Sequence, residues 1–219
     1  MTEQMEPWLK ELLEAGSDGK KVTEKQSRIV RAAIEMFAEK GYAASSTSEI
    51  AQRAGVAEGT IFRHYKTKKD LLLAIATPAL ARLIAPFVMR EFRGVLSADY
   101  DSFESFLRAL IDNRIEFVKQ NLSLFKILVQ ELPFHSDLQE RFREAILPLV
   151  LERVERILDR FKAEGKLRDL PNVTLVRLIV SAVFGYVLAR TWSEAREETR
   201  WNDEAEREAT IAFLVRGLT

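Results

Sequence analysis

The stretch AGVAEGTIFRHYKTKK, residues 54–69, places Gly55 and Gly59 beside Arg63, His64, Lys66, Lys68 and Lys69. Guanidinium and ammonium groups at this density hold anions, and arginine can grip the paired acceptors on a guanine edge. Glycine inside a helix costs about 1 kcal/mol relative to alanine, so helix stability does not explain the two glycines. Gly55 has the position of a turn residue. Gly59 falls in the first turn of a short helix, where a missing side chain lets a surface come close.

Other chemistries lack their residues. There is no cysteine, which removes disulfides, thiolate metal sites and a Cys nucleophile. The only histidines are His64 and His135. Neither a Ser-His-acid arrangement nor a two-His zinc spacing is present. No metal site, cofactor or enzyme is expected.

The elements that must position these residues are helical throughout. Helical periodicity runs over 24–40, with Ile29, Ala33, Met36 and Phe37 on one face and Gly41 as its stop. Ser46-x-x-Glu49 has the form of a capping box opening a helix through Ala54. A second short helix covers 58–65. Thr67-x-x-Asp70 opens a long helix to about Arg90, which Pro78 and Pro86 should kink. Further helices are expected at 5–14, 102–120, 122–132, 137–164, 172–197 and 203–217, with Ser136-x-x-Gln139 as a cap and Gly165 as a stop. The fold class is all-α. Residues 1–22 read as an N-terminal extension, 23–72 as a three-helix domain and 73–219 as a larger bundle.

Charge supports that division. The net charge is zero over 219 residues, yet residues 20–70 hold eleven Lys and Arg against six acids, and residues 1–19 one Lys against five acids. A basic block on a neutral body is a local footprint for a polyanion. Helix, glycine turn and second helix over 46–65 form a helix-turn-helix, with Ile50, Ala51, Ala54, Val56, Ile61 and Tyr65 spaced to share a core with 24–40. No cationic leader is present, and the longest apolar runs fall short of the roughly 20 residues that span a bilayer. A soluble, cytoplasmic protein without a membrane partner is expected.

From Ile29 to Leu73 the chain resembles the DNA-binding domain of the tetracycline-repressor-like (TetR/AcrR) transcriptional regulators. Phe37, Gly41, Thr47, Ile50, Ala54-Gly55-Val56, Gly59-Thr60-Ile61, Tyr65, Lys68 and Leu71-Leu72 stand in register. The resemblance implies that Thr47 and Ser48 open the helix lying across the DNA backbone. It places Glu58, Gly59, Thr60, Arg63 and His64 on the recognition helix, with Lys68 holding a phosphate. Arg63 is the expected base reader and His64 a phosphate contact. Three positions depart from the family's habit: Ala57 lacks a capping hydroxyl, Phe62 replaces a common Tyr, and Glu58 sets a carboxylate toward DNA. That carboxylate could accept from a cytosine amine or favour the helix N-terminus.

The bundle behind is rich in Phe. Most of these are expected to be core, while the resemblance implies a cavity for an apolar or amphipathic effector. Candidate wall residues are Phe103, Phe106, Leu110, Phe117, Phe125 and Phe184. Asn113, Arg114, Gln130 and Glu131 interrupt apolar faces, where each could anchor a ligand, pair locally or face solvent. Residues 178–189 are apolar almost all round, so that helix should be buried on all sides. This points to a homodimer interface through Leu178, Ser181, Ala182, Gly185, Leu188 and Trp192, with Ala209 and Phe213 of the last helix beside them. The resemblance also implies dimerisation through the last two helices.

Together these features describe a homodimeric repressor that binds a near-palindromic double-stranded operator and is released by a small effector. One other reading fits the residues, a carrier of apolar molecules whose helix-turn-helix only packs; nothing in the sequence marks the carboxylate-only site that an enzyme would need.

Overall fold

The structure, a computed structural model, describes residues 23–78, 94–95, 98–145, 147–195 and 200–219. The expected helix at 5–14 and the stretch to Arg90 with its kink at Pro86 lie outside the described residues. Among the described residues there is no strand.

The described parts of 1–89 and 118–148 form one compact unit. Its first helix, α1 (Glu24–Ala44), opens on a capping box in which Thr23 and Gln26 satisfy each other's backbone, a signal the sequence reading overlooked. Gly41 bends α1 with φ 82° and ψ 161°, a region open essentially to glycine. Three short elements follow: α2 (Thr47–Ala54), α3 (Glu58–His64) and α4, described over Lys68–Pro78. α2 packs on α1, α3 packs on α2, and α4 returns to α1; Phe37, Ile50, Ile61 and Leu71 have no accessible surface. Truncating a fully packed Phe37 to Ala costs about 3–5 kcal/mol, so this cluster is what fixes the three short helices.

The same unit takes in α6 (Leu122–Glu131), a single 3-10 turn (Leu132–Phe134) and α7 (Ser136–Ala145). α7 begins at Ser136 itself, so Ser136 is its first helical residue rather than its cap. The Gln139 side chain donates to the Pro133 carbonyl at 3.0 Å. The expected single helix over 137–164 is represented by α7 and α8 (Leu147–Ala163), either side of residue 146, which is not described. Gly165, at φ 68°, follows α8.

The second unit comprises the described residues of 90–117 and 149–219. It holds α5 (Phe103–Gln120) as far as Phe117, most of α8, α9 (Asn172–Ala195) and α10 (Asp203–Leu218). Phe103, Phe106 and Phe161 pack ring against ring with centroids 5.8–6.3 Å apart. α10 is held against α9 at its start, where Tyr186, Arg190 and Trp201 all donate to the Asp203 carboxylate. Burial pushes this carboxyl up, but those hydrogen bonds outweigh it and hold it below its usual range.

α9 leaves one expectation open and corrects another. It buries Leu175, Ile179, Val183, Tyr186 and Val187 but leaves Val173, Val180, Phe184 and Trp192 exposed, so within one chain it is covered along one side only. At 24 residues it is also long and apolar enough to cross a bilayer by length and composition. Counting only the uninterrupted run 178–189 missed this. The core helix of a globular protein passes the same test.

Candidate nucleic-acid interface

The helix-turn-helix is assembled by local chemistry. Ser46 accepts the Glu49 N–H at 3.1 Å, and the Glu49 carboxylate accepts from the Ser46 N–H at 3.0 Å and its hydroxyl at 2.8 Å. The same carboxylate pairs with Lys40. Lys40 and the Ser46 donors lower its pKa to about 2. Gly55 ends α2 at φ 64°, ψ 42°. This left-handed geometry disfavours any residue with a Cβ. α3 then starts at Glu58, and Ala57 makes no side-chain cap, as its residue type requires.

Gly59 has nothing within 4 Å of where a Cβ would stand. No packing within the described residues therefore requires the missing side chain, and this face of α3 is open to solvent. Ser48, Glu58, Arg63 and His64 are exposed, Thr47 and Thr60 half-buried. Phe62 is also exposed, at 46%. Thr47 donates its hydroxyl to the Glu58 carboxylate at 2.6 Å, which ties the first residue of α2 to the first residue of α3.

The basic residues sort into two sets. Lys40 pairs with Glu49, Arg53 with Glu39 at 2.9 Å, and Lys69 with Asp137 of α7. Lys68 corrects its expected role. Its ammonium donates to the carbonyls of Tyr42 and Ser45 at 2.7 Å each and lies 4.3 Å from the Tyr42 ring centroid. It thus closes the carbonyl end of α1, where a cation is favoured, and those donors are not turned to a phosphate. Arg63 and Lys66 make no ion pair among the described residues, and with His64 they remain at the end of α3.

Sequence reasoning singled out Glu131 only as a ligand anchor and missed its work with Tyr42 and His135. Glu131 is buried, accepts the Tyr42 N–H at 3.2 Å, and lies 3.2 Å from His135 Nε2. The Tyr42 ring meets His135 edge-on, with centroids 5.3 Å apart. Burial and the Glu131 charge raise the Tyr42 phenol pKa. Leu124, Ile127 and Glu131 form the inner face of α6, and Gln130 lies exposed outside it, the solvent-facing one of its three alternatives. Its Oε1 sits 3.2 Å from where a Gly41 Cβ would stand.

The other effector candidates divide between the two units. Phe103 and Phe106 are core residues, 2% and 1% exposed. Leu110, Asn113, Arg114 and Phe117 are half-buried along α5. Arg114 donates to Asn113 and lies over the Phe117 ring. Phe125 and Gln130 fall in the first unit, and Phe184 is an exposed residue of α9. Among the interface candidates, Leu178, Ala182 and Leu188 are half-buried, whereas Ser181, Gly185, Trp192, Ala209 and Phe213 are exposed. Phe213 reaches 69% and lies in a shallow concavity of α10 with Ala209, Ala212 and Gly217. Among the described residues no cluster of His, Cys, Asp and Glu is arranged to hold a metal ion.

A capped first helix, a left-handed glycine turn and a second helix with a bare, cation-flanked face define a helix-turn-helix DNA-binding protein. Residues 29–75 match the family model described as bacterial regulatory proteins, tetR family, so the helix-turn-helix of this chain is similar to that of TetR-type regulators. It is 42% identical over 60 residues to the fatty acid metabolism regulator protein of Bacillus subtilis, a match covering 27% of this chain and 31% of that one. The HTH-type regulator YvdT of Bacillus subtilis is 24% identical over 204 residues, covering 91% and 97% of the two chains. Among solved structures, FadR from Bacillus subtilis in complex with stearoyl-CoA superposes with a TM-score of 0.60 at 24% identity. That superposition covers 88% of this chain and 98% of FadR, and at this identity it bears on the fold.

Proposed function

We propose that the chain acts as a homodimeric repressor that binds a near-palindromic DNA operator and is released by a small amphipathic effector. The observation that carries the reading is the face of α3. Gly59 leaves room that the protein does not fill, and Arg63, His64 and Lys66 stand beside it while the neighbouring cations are engaged in the fold. In this reading residues 23–72 are the reader and 73–219 take the effector and form the dimer. Phosphate contacts set register, and Arg63 reads a base edge.

The dimer is supported by the exposed Val180, Phe184 and Trp192 of α9 and Phe213 of α10. The effector is supported by the half-buried Leu110–Phe117 face of α5, where Asn113 and Arg114 supply a polar end. FadR's complex with stearoyl-CoA makes a long acyl chain with a polar head the first class to try. Release requires that the effector favour a dimer geometry whose recognition helices no longer match successive grooves. A cytoplasmic location goes with this role, which includes no catalytic step.

The test is selection of bound duplexes from a random pool at two salt concentrations. A near-palindromic motif that Arg63→Ala abolishes is the expected result. No motif and no binding at low salt, with protein freed of co-purified ligand, overturns the reading in favour of an apolar carrier.

A further inference from the structure

The carboxylate of Glu58 stands on the surface offered to DNA, where the phosphates repel it. It has no cationic partner among the described residues. Among the described residues its hydrogen bond comes from Thr47, whose hydroxyl donates to Oε1 at 2.6 Å. A hydroxyl has a single proton to give, so Thr47 in this arrangement does not donate to a phosphate. It instead fixes the orientation of the carboxylate from a neighbouring helix. The second oxygen, Oε2, accepts nothing from the described residues. Next to it Gly59 carries no side chain to hold a base edge away.

An ionised carboxylate only accepts hydrogen bonds. Guanine and thymine present it with acceptors in the major groove, N7 and O6 or O4. Adenine has the N6 amine, but flanked on both sides by acceptors, its own N7 and the O4 of its thymine partner. Cytosine presents the N4 amine with a C–H on one side. From this geometry we infer that Glu58, oriented by Thr47, is a specificity-determining residue that selects a cytosine in each half of the operator. The inference rests on the DNA-binding reading above and adds to it the identity of one base.

The experiment compares duplexes selected from a random pool by the full-length wild-type chain, Glu58→Gln and Thr47→Val, with thermal unfolding confirming that all three fold. Glutamine keeps an acceptor for Thr47 but adds an amide donor, and pairs with adenine N6 and N7. The wild type is expected to require cytosine at one position per half-site. Glu58→Gln is expected to prefer adenine there, reversing a discrimination of roughly tenfold or more, and Thr47→Val to blur that position alone. A motif unchanged by either substitution overturns the inference and leaves the regulator reading standing. So does Glu58→Gln tightening binding to all duplexes alike, the behaviour of a carboxylate that merely repels phosphate. Absence of salt-dependent DNA binding by the wild type overturns both.

Discussion

Glu131 holds the backbone N–H of Tyr42 at 3.2 Å, 89 residues away in the chain, with His135 on its other oxygen. Tyr42 directly follows the Gly41 bend and precedes the capping Ser46. The carboxylate therefore pins the segment from which α2 departs. Glu131→Ala is expected to lower stability by about 1–3 kcal/mol, because a part-buried N–H loses its acceptor. Glu131→Gln, which keeps an acceptor, should lose clearly less. Urea midpoints of the two variants check this.

Gly59→Ala should separate folding from binding. No atom opposes the added methyl, and alanine is the better helix former, so stability should hold or rise by up to about 1 kcal/mol. Operator affinity should fall, because the methyl occupies the approach to the groove. A thermal melt and a binding titration on one sample suffice, and unchanged affinity would place the DNA elsewhere.

Lys68 and Lys66 should differ in how their loss responds to salt. Lys66→Ala removes a surface cation with no ion pair among the described residues, so the slope of log affinity against log salt should shrink by about 0.9 if it meets a phosphate. Lys68→Ala frees the carbonyls of Tyr42 and Ser45 instead. Its expected signature is a lower urea midpoint with the salt slope intact.

The Glu49 carboxyl, held at about 2 against an ordinary 4.5, makes the helix-turn-helix acid-sensitive. A depressed folded value means that its contribution is complete above about pH 4.5 and is lost as pH falls toward 2. Glu49→Gln has nothing to protonate. The difference in urea midpoint between pH 5 and pH 2.5 should therefore be smaller in the variant than in the wild type.

Trp192 and Phe213 are 58% and 69% exposed in the single chain. If they meet a second copy, Trp192→Glu with Phe213→Glu should shift the sedimentation of the protein from dimer to monomer while leaving its helical circular dichroism in place. A variant that still sediments as a dimer removes this face from the interface.

Much of this was written in local sequence. The Ser46 and Thr67 capping boxes, the Gly55 turn and the uncapped Ala57 need only neighbours within three or four residues, and all stand where their residue types place them. Two local signals were still misjudged, the overlooked Thr23–Gln26 box and the Ser136 cap, and the larger failures came where a partner lies far along the chain. Lys68 and Lys69 sit at a helix start, the unfavourable end for a cation, and read as free for DNA. One closes α1 from 26 residues away, and the other pairs with Asp137. Glu131 and Gln130 are adjacent polar residues, and only the packing of α6 tells which is turned inward. The effector face was the least legible, because an aromatic residue spaced for a core and one spaced for a cavity wall obey the same periodicity.

The recognition helix has one more property. α3 is seven residues long, lacks a side-chain cap, and buries one residue, Ile61. A helix so short has almost no standing of its own in water, and unwinding it exposes little apolar surface beyond that isoleucine. Its amides should therefore exchange with solvent through local openings far cheaper than unfolding the whole domain, well ahead of those in α1. A DNA that completes α3's contacts would close those openings. The slowing of exchange at a handful of amides would then distinguish a duplex that is read from one that is merely touched.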